Sequence, residues 1–258
     1  MISEPTRKVY AMRVLALLLG LVLLPLPAVA GLPYRTDDGS TTEAQHWEVD
    51  FFSSGTSVRG GTVGVLPGLD VEYGVIEGVQ IHIILPLGYA SGFGRPTRFG
   101  NGDTELGVKL QLPWPDKDSV LPQIAIFPLV EVPSGNQHLG FSTGHTQIFL
   151  PVWIGKDIGD WNISAGGGHW TNPGAGNKDW WYAGGVVQRR LGEDLTVGAE
   201  VFHQTASVEG GKPSTGFNVG ATYQIREGVN LLALVGRGLQ NAATTNTFSY
   251  YTALQFNF

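Results

Sequence analysis

The chain has 258 residues, 16 Lys and Arg against 22 Asp and Glu, and no cysteine. Disulfides, thiolate metal sites and a cysteine-linked lipid anchor are thereby excluded. The acidic balance argues against nucleic acid as a partner.

The first element is a targeting segment. Arg7, Lys8 and Arg13 precede an apolar run from Val14 to Leu24, and Pro27-Ala28-Val29-Ala30 closes it. A positive start, an apolar stretch and small residues at the end make a secretory signal peptide over 1–30, cleaved after Ala30. Its removal leaves 13 basic and 21 acidic side chains, a formal charge of −8. Residues 31–44 follow as a short periplasmic N-terminal segment. No later apolar run is long enough for a helical span, so any membrane crossing must use closed strands.

From residue 45 to the end, turn signals cut the chain into alternating segments with strand periodicity. They are 45–54, 67–75, 79–88, 102–112, 122–132, 145–154, 160–169, 179–190, 195–204, 214–224, 229–238 and 247–258. Twelve such segments, each near the roughly 9–11 residues that a tilted strand needs, predict an all-β fold: a closed antiparallel transmembrane barrel. The connections at 76–78, 155–159, 191–194 and 225–228 are tight, and 113–121 is moderately longer. The alternate ones at 55–66, 89–101, 133–144, 170–178, 205–213 and 239–246 are long. Short turns alternating with long loops fit periplasmic turns and outer loops, with both termini in the periplasm.

Alternation also assigns the two faces. In 103–112, Thr104, Leu106, Val108, Leu110 and Leu112 alternate with Asp103, Glu105, Gly107, Lys109 and Gln111. In 195–204, Val197, Ala199 and Val201 alternate with Gly198, Glu200 and Phe202. The polar rows face the lumen, because Arg or Lys on the lipid face at mid-bilayer costs about 2–4 kcal/mol. The segments 179–190 and 229–238 can be read in more than one register. By this reading the lumen collects Glu48, Asp50, Asp70, Glu72, Asp103, Glu105, Lys109, Glu131 and Glu200, interleaved with Trp153 and Phe202. An acidic interior disfavours anions and suits neutral or cationic solutes. The 37 glycines permit turns and relieve crowding in a narrow barrel; no phosphate cradle or dinucleotide fingerprint is present.

The last strand, 248–258, ends on Phe256-Asn257-Phe258. Its apolar face runs to the carboxylate, and Phe256 and Phe258 resemble the C-terminal signal read by the bacterial outer-membrane assembly machinery. The expected partners are therefore outer-membrane lipid, that machinery and a small-molecule solute, with no nucleic acid.

Little points to catalysis or to a cofactor. The histidines 46, 82, 138, 145, 169 and 203 show no metal-ligand spacing and read as rim or hydrogen-bonding residues. A lipid hydrolase on this architecture would need a serine beside a lipid-facing histidine; His203 faces that way, with no serine identifiable next to it.

Several stretches together resemble the outer-membrane transporter-like family named after the meta-pathway of phenol degradation. They are residues 102–109 (GDTELGVK), 127–135 (FPLVEVPSG), Asp179-Trp180 leading into 184–189 (GGVVQR), 195–200 (LTVGAE) and the terminal strand. The resemblance spans about residue 45 to the end. It implies a barrel that handles aromatic or other hydrophobic compounds, and it carries no catalytic residues. The expected protein is an outer-membrane channel for passive movement of small, aromatic or hydrophobic solutes. The alternatives are a closed structural or surface-interaction barrel and, further off, the lipid hydrolase.

Overall fold

A computed structural model describes residues 33–112 and 120–258; the signal peptide expected over 1–30 lies outside the described residues, as do 31–32 and 113–119. The strands are β1 (Trp47–Val58), β2 (Gly61–Ile76), β3 (Val79–Gly92), β4 in two halves (Arg95–Asn101 and Thr104–Gln111) and β5 in two halves (Gln123–Ile126 and Leu129–Val132). Then come β6 (Gln147–Ile158), β7 (Trp161–Thr171), β8 (Trp180–Leu191), β9 (Leu195–Gln204), β10 (Ser214–Arg226), β11 (Val229–Gln240) and β12 (Phe248–Asn257). Each pairs antiparallel with the next, and β12 returns to β1 from Glu48↔Asn257 to Ser57↔Phe248. The sheet is a closed twelve-stranded barrel, which leaves no unpaired strand edge in lipid.

Two interruptions have local causes. Both halves of β4 pair with β3, and the break falls at Gly102-Asp103, where Asp103 turns its carboxylate to the backbone of a loop. β5 breaks at Phe127-Pro128, because Pro128 has no N–H to give the ladder. Hydrogen bonds from Phe127 N to Pro151 O and from Val108 N to Pro128 O keep the wall continuous there.

Two of the expected long loops are strand instead. Residues 55–66 and 89–101 extend β1, β2, β3 and β4 into tall hairpins turned at Arg59-Gly60 and Phe93-Gly94. Their Gly, Ser and Thr content reads as loop in isolation, yet cross-strand pairs such as Thr56↔Val63 and Val63↔Ala90 hold them in the sheet. The connections at 133–144 and 239–246 do leave the sheet. They carry a 3-10 turn at Gln137–Leu139 and a single helical turn, α1, at Ala242–Thr245.

The outer wall carries exposed Leu85, Leu106, Val108, Ile154, Ile163, Val201, Val219, Val235 and Leu254. At mid-barrel the opposite row is polar or aromatic and buried, including Gln80, His82, Lys109, Gln188, Glu200, Asn218 and Gln255. The two ambiguous registers resolve the same way. Tyr182, Val186 and Gln188 point inward on β8, and Asn230, Leu232 and Leu234 do so on β11.

The segment expected in the periplasm takes another place. Residues 33–44 run inside the barrel, bonded to side chains of β2, β3, β4 and β9. Glycines on the inner wall make room for it: Gly198 and Gly220 lie under the Tyr34 hydroxyl, and Gly184 lies under Thr36 Oγ1. Any larger residue at those positions would occupy the space that the segment fills.

Candidate functional site

The barrel encloses a cavity of about 1470 Å³ whose two walls differ in chemistry. Strands β1 to β4, with β12, build a polar wall. Because inward positions recur every second residue and neighbouring strands are in register, Asp50, Asp70 and Ile84 share one row, and Glu48, Glu72 and His82 the next. His82 sits among three carboxylates. Its Nδ1 is 3.2 Å from Asp70 Oδ1 and 3.3 Å from Glu72 Oε1, and its Nε2 is 3.0 Å from Glu105 Oε1. Tyr251 donates its hydroxyl to Asp50 Oδ2 at 3.2 Å, and Gln255 Nε2 donates to Glu48 Oε1 at 2.9 Å. Among the described residues, Asp70, Glu72 and His82 are the group with donor atoms close enough together to hold a metal ion. Both imidazole nitrogens already face carboxylates.

Strands β5 to β9 build an aromatic wall of Phe127, Leu129, Phe149, Trp153, Tyr182 and Phe202, with Trp170 and Trp180 packed against it. Phe149, Trp170 and Trp180 come from adjacent strands in register and stack nearly parallel, with centroids 4.7 Å and 5.5 Å apart. One tier deeper, Trp153 and Phe202 each lie over a glycine of the neighbouring strand. A Cβ at Gly166 would meet the Trp153 ring at 2.5 Å, and one at Gly216 would meet Phe202 at 2.6 Å. The small residue thus receives the large one, and flat rings pave the curved wall. Phe127 joins the two walls: the His82 ring meets its edge at 5.3 Å, and Lys109 Nζ lies 5.6 Å from its centroid.

Residues 33–44 cross between the walls. On the aromatic side, Thr36 donates its N–H and its hydroxyl to Glu200 Oε1 at 2.6 Å and 2.7 Å. On the polar side, Lys109 Nζ donates to Asp37 Oδ1 at 2.9 Å, with Asp38 Oδ1 at 3.5 Å. Thr42 N donates to Gln80 Oε1 at 2.8 Å, and its hydroxyl donates to Glu72 Oε2 at 3.2 Å.

Of the residues expected in the lumen, Glu48, Asp50, Asp70, Glu72, Glu105, Lys109, Trp153 and Phe202 border the cavity. Three do other work. Glu200 points inward but is only 1% exposed, covered by Thr36 and bonded to Asn218 Nδ2 at 2.5 Å. Asp103 accepts the N–H groups of Gly135 and Thr143 at 3.0 Å and 3.2 Å, pinning the loop at 133–144. Glu131 lies between Glu105 and Gln147 in the ladder. Sequence reasoning missed Arg35, Thr36, Asp37, Asp38 and Thr42, because a polar segment before the first strand shows no period. The inward glycines at 184, 198 and 220 were the available signal.

On the outer wall, His203 does have a hydroxyl neighbour, but it is Thr215, with Nδ1 to Oγ1 at 2.8 Å. Thr215 donates its one proton to Gln240 Oε1 at 3.0 Å, so toward His203 it accepts. That polarity is the reverse of a histidine base activating a nucleophile. At the closing seam, Phe258 and Trp47 exchange backbone hydrogen bonds at 2.7 Å and 3.1 Å, and the Phe256 ring meets Phe51 edge-on at 6.0 Å.

A closed barrel with an apolar outer belt and a polar and aromatic interior defines an outer-membrane β-barrel. No protein-family model and no curated protein sequence matches the chain. Solved structures do. An outer-membrane channel from Pseudomonas putida F1 superimposes with a TM-score of 0.72 at 14% identity, over 86% of this chain and 98% of that one. The KdgM porin gives 0.58 at 12% identity, over 82% and 99%. The NanC porin gives 0.58 at 13%, over 81% and 98%. At such identities the likeness is one of fold.

Proposed function

We propose that the protein is a passive channel for small solutes, selective for neutral or cationic compounds with an aromatic or hydrophobic part. The observation that carries this reading is the pairing of two unlike walls around one cavity of about 1470 Å³. Carboxylates on one side disfavour anions, and stacked rings on the other offer flat apolar surface to a planar solute. The porin-like neighbours support channel activity, and the resemblance to the phenol meta-pathway family supports the aromatic preference. Solutes move down their gradient, and outer-membrane lipid is the surrounding partner.

A specific observation favours a second reading, the closed barrel: residues 33–44 bridge the lumen through Thr36–Glu200 and Asp37–Lys109. Single-channel recording of the purified protein in planar bilayers separates the two. Discrete current steps with cation preference support the channel. Silence in both the intact protein and a variant lacking 33–43 supports the closed barrel.

Phe256 and Phe258 are assigned to recognition by the barrel assembly machinery, since the exposed Phe258 ring continues the outer face at the seam. Phe258→Ala should lower the amount of heat-modifiable protein in outer-membrane fractions. Normal levels would leave the ring as a membrane-interface aromatic alone.

A further inference from the structure

Arg35 belongs to the segment that crosses the lumen, yet the barrel wall treats it as a ligand. Its guanidinium carbon lies 4.5 Å from the Phe202 ring centroid and 5.2 Å from that of Tyr182. Its Nη2 donates to Gln204 Oε1 at 2.9 Å, and its backbone N–H reaches Glu200 Oε2 at 3.4 Å. The two rings are stacked within 19° of parallel. Flat π-faces, an amide acceptor and a buried carboxylate are the elements by which proteins hold a planar cation.

All four wall groups sit on β8 and β9, where the ladder is unbroken from Tyr182↔Gln204 to Leu191↔Leu195. That ladder sets where the four side chains start from the wall. Arg35, Tyr182, Phe202 and Gln204 all border the main cavity, so a solute in the lumen has access to the same place. If the segment leaves, Glu200 loses its bonds from Thr36 and Arg35 while keeping those from Asn218 and Tyr182. A buried carboxylate stripped of donors favours a cationic one in their place.

We propose that Tyr182, Phe202, Gln204 and Glu200 form a binding site for small guanidinium compounds, and that Arg35 is its tethered occupant. The inference deepens the channel reading by naming a solute class, but it is tested without current. A primary ammonium lacks the planar fork and fits less well; guanidinium stacks on the rings while an N–H reaches Gln204, as in Arg35, with the Glu200 carboxylate supplying negative charge close by.

The experiment is equilibrium titration of the full-length folded barrel in detergent with agmatine, using putrescine as the ammonium counterpart. Folding of every variant is checked by heat-modifiable migration. Arg35→Ala should bind agmatine about tenfold more tightly than the intact protein, and putrescine several-fold more weakly than agmatine. Adding Phe202→Leu, or Gln204→Leu where the first does not fold, should return the affinity to the starting value. Equal agmatine affinity with and without Arg35 overturns the proposal. So does tight binding that survives loss of both Phe202 and Gln204. Either result leaves channel activity to be decided by conductance alone.

Discussion

The polar wall and the aromatic wall use one backbone architecture to solve opposite problems. On β1 to β4 the inward rows hold charges that pair with groups on neighbouring strands or on the lumen segment, as His82 does with Asp70, Glu72 and Glu105 and Lys109 with Asp37. On β5 to β9 the inward rows carry rings among a few polar groups such as Gln188 and Glu200, and the rings need volume first. That volume comes from Gly166 and Gly216 on the adjoining strands. The polar wall is therefore held by directed bonds and the aromatic wall by shape. The first should tolerate changes of size and not of charge, and the second the reverse.

The largest expected effect comes from separating the walls. Deleting residues 33–43 removes the bridges from Glu200 to Lys109, and single-channel conductance should rise at least about threefold as the bore widens. An unchanged step size would mean that the segment does not lie in the conduction path.

Shape dependence is tested next. Gly166→Val places side-chain atoms against Val152 O and the Trp153 ring and should destabilise the barrel by about 1–3 kcal/mol, read from the shift in heat-modifiable migration. Gly185→Ala on β8 is the control, since the nearest atoms to its added Cβ lie at 3.8 Å, and its effect should stay within about 0.5 kcal/mol. If both changes behave alike, ring-over-glycine packing is not what holds the aromatic wall.

Charge dependence gives a smaller effect. Glu105→Gln keeps the shape of the side chain but removes a carboxylate from His82 Nε2. Under a salt gradient, the reversal potential should move toward zero by a cation-preference change of about twofold. Trp153→Phe should leave that potential where it was. A shift from the ring change and none from the charge change would invert the roles assigned to the two walls.

Much of this barrel is legible in the local chemistry of the chain. A two-residue period needs no tertiary knowledge, so the faces of β4 and β9 follow from Leu106, Val108 and Val201 against Glu105, Lys109 and Glu200. Twelve strands, closed and antiparallel, follow from that period together with the spacing of turns. Three features did not follow. The hairpins over 55–66 and 89–101 are strand because a neighbouring edge was there to pair with, and Gly, Ser and Thr do not announce a partner. The placement of 33–44 depends on Glu200, Lys109 and Gln80, which lie scattered over more than a hundred residues of sequence. The pairing of Trp153 with Gly166, or of Arg35 with Phe202, arises only when register sets them side by side. Period and parity are properties of a strand taken alone, and so the sequence determined them. Registry across the barrel and the contents of its lumen are properties of strands together, and only the closed tertiary structure decided them.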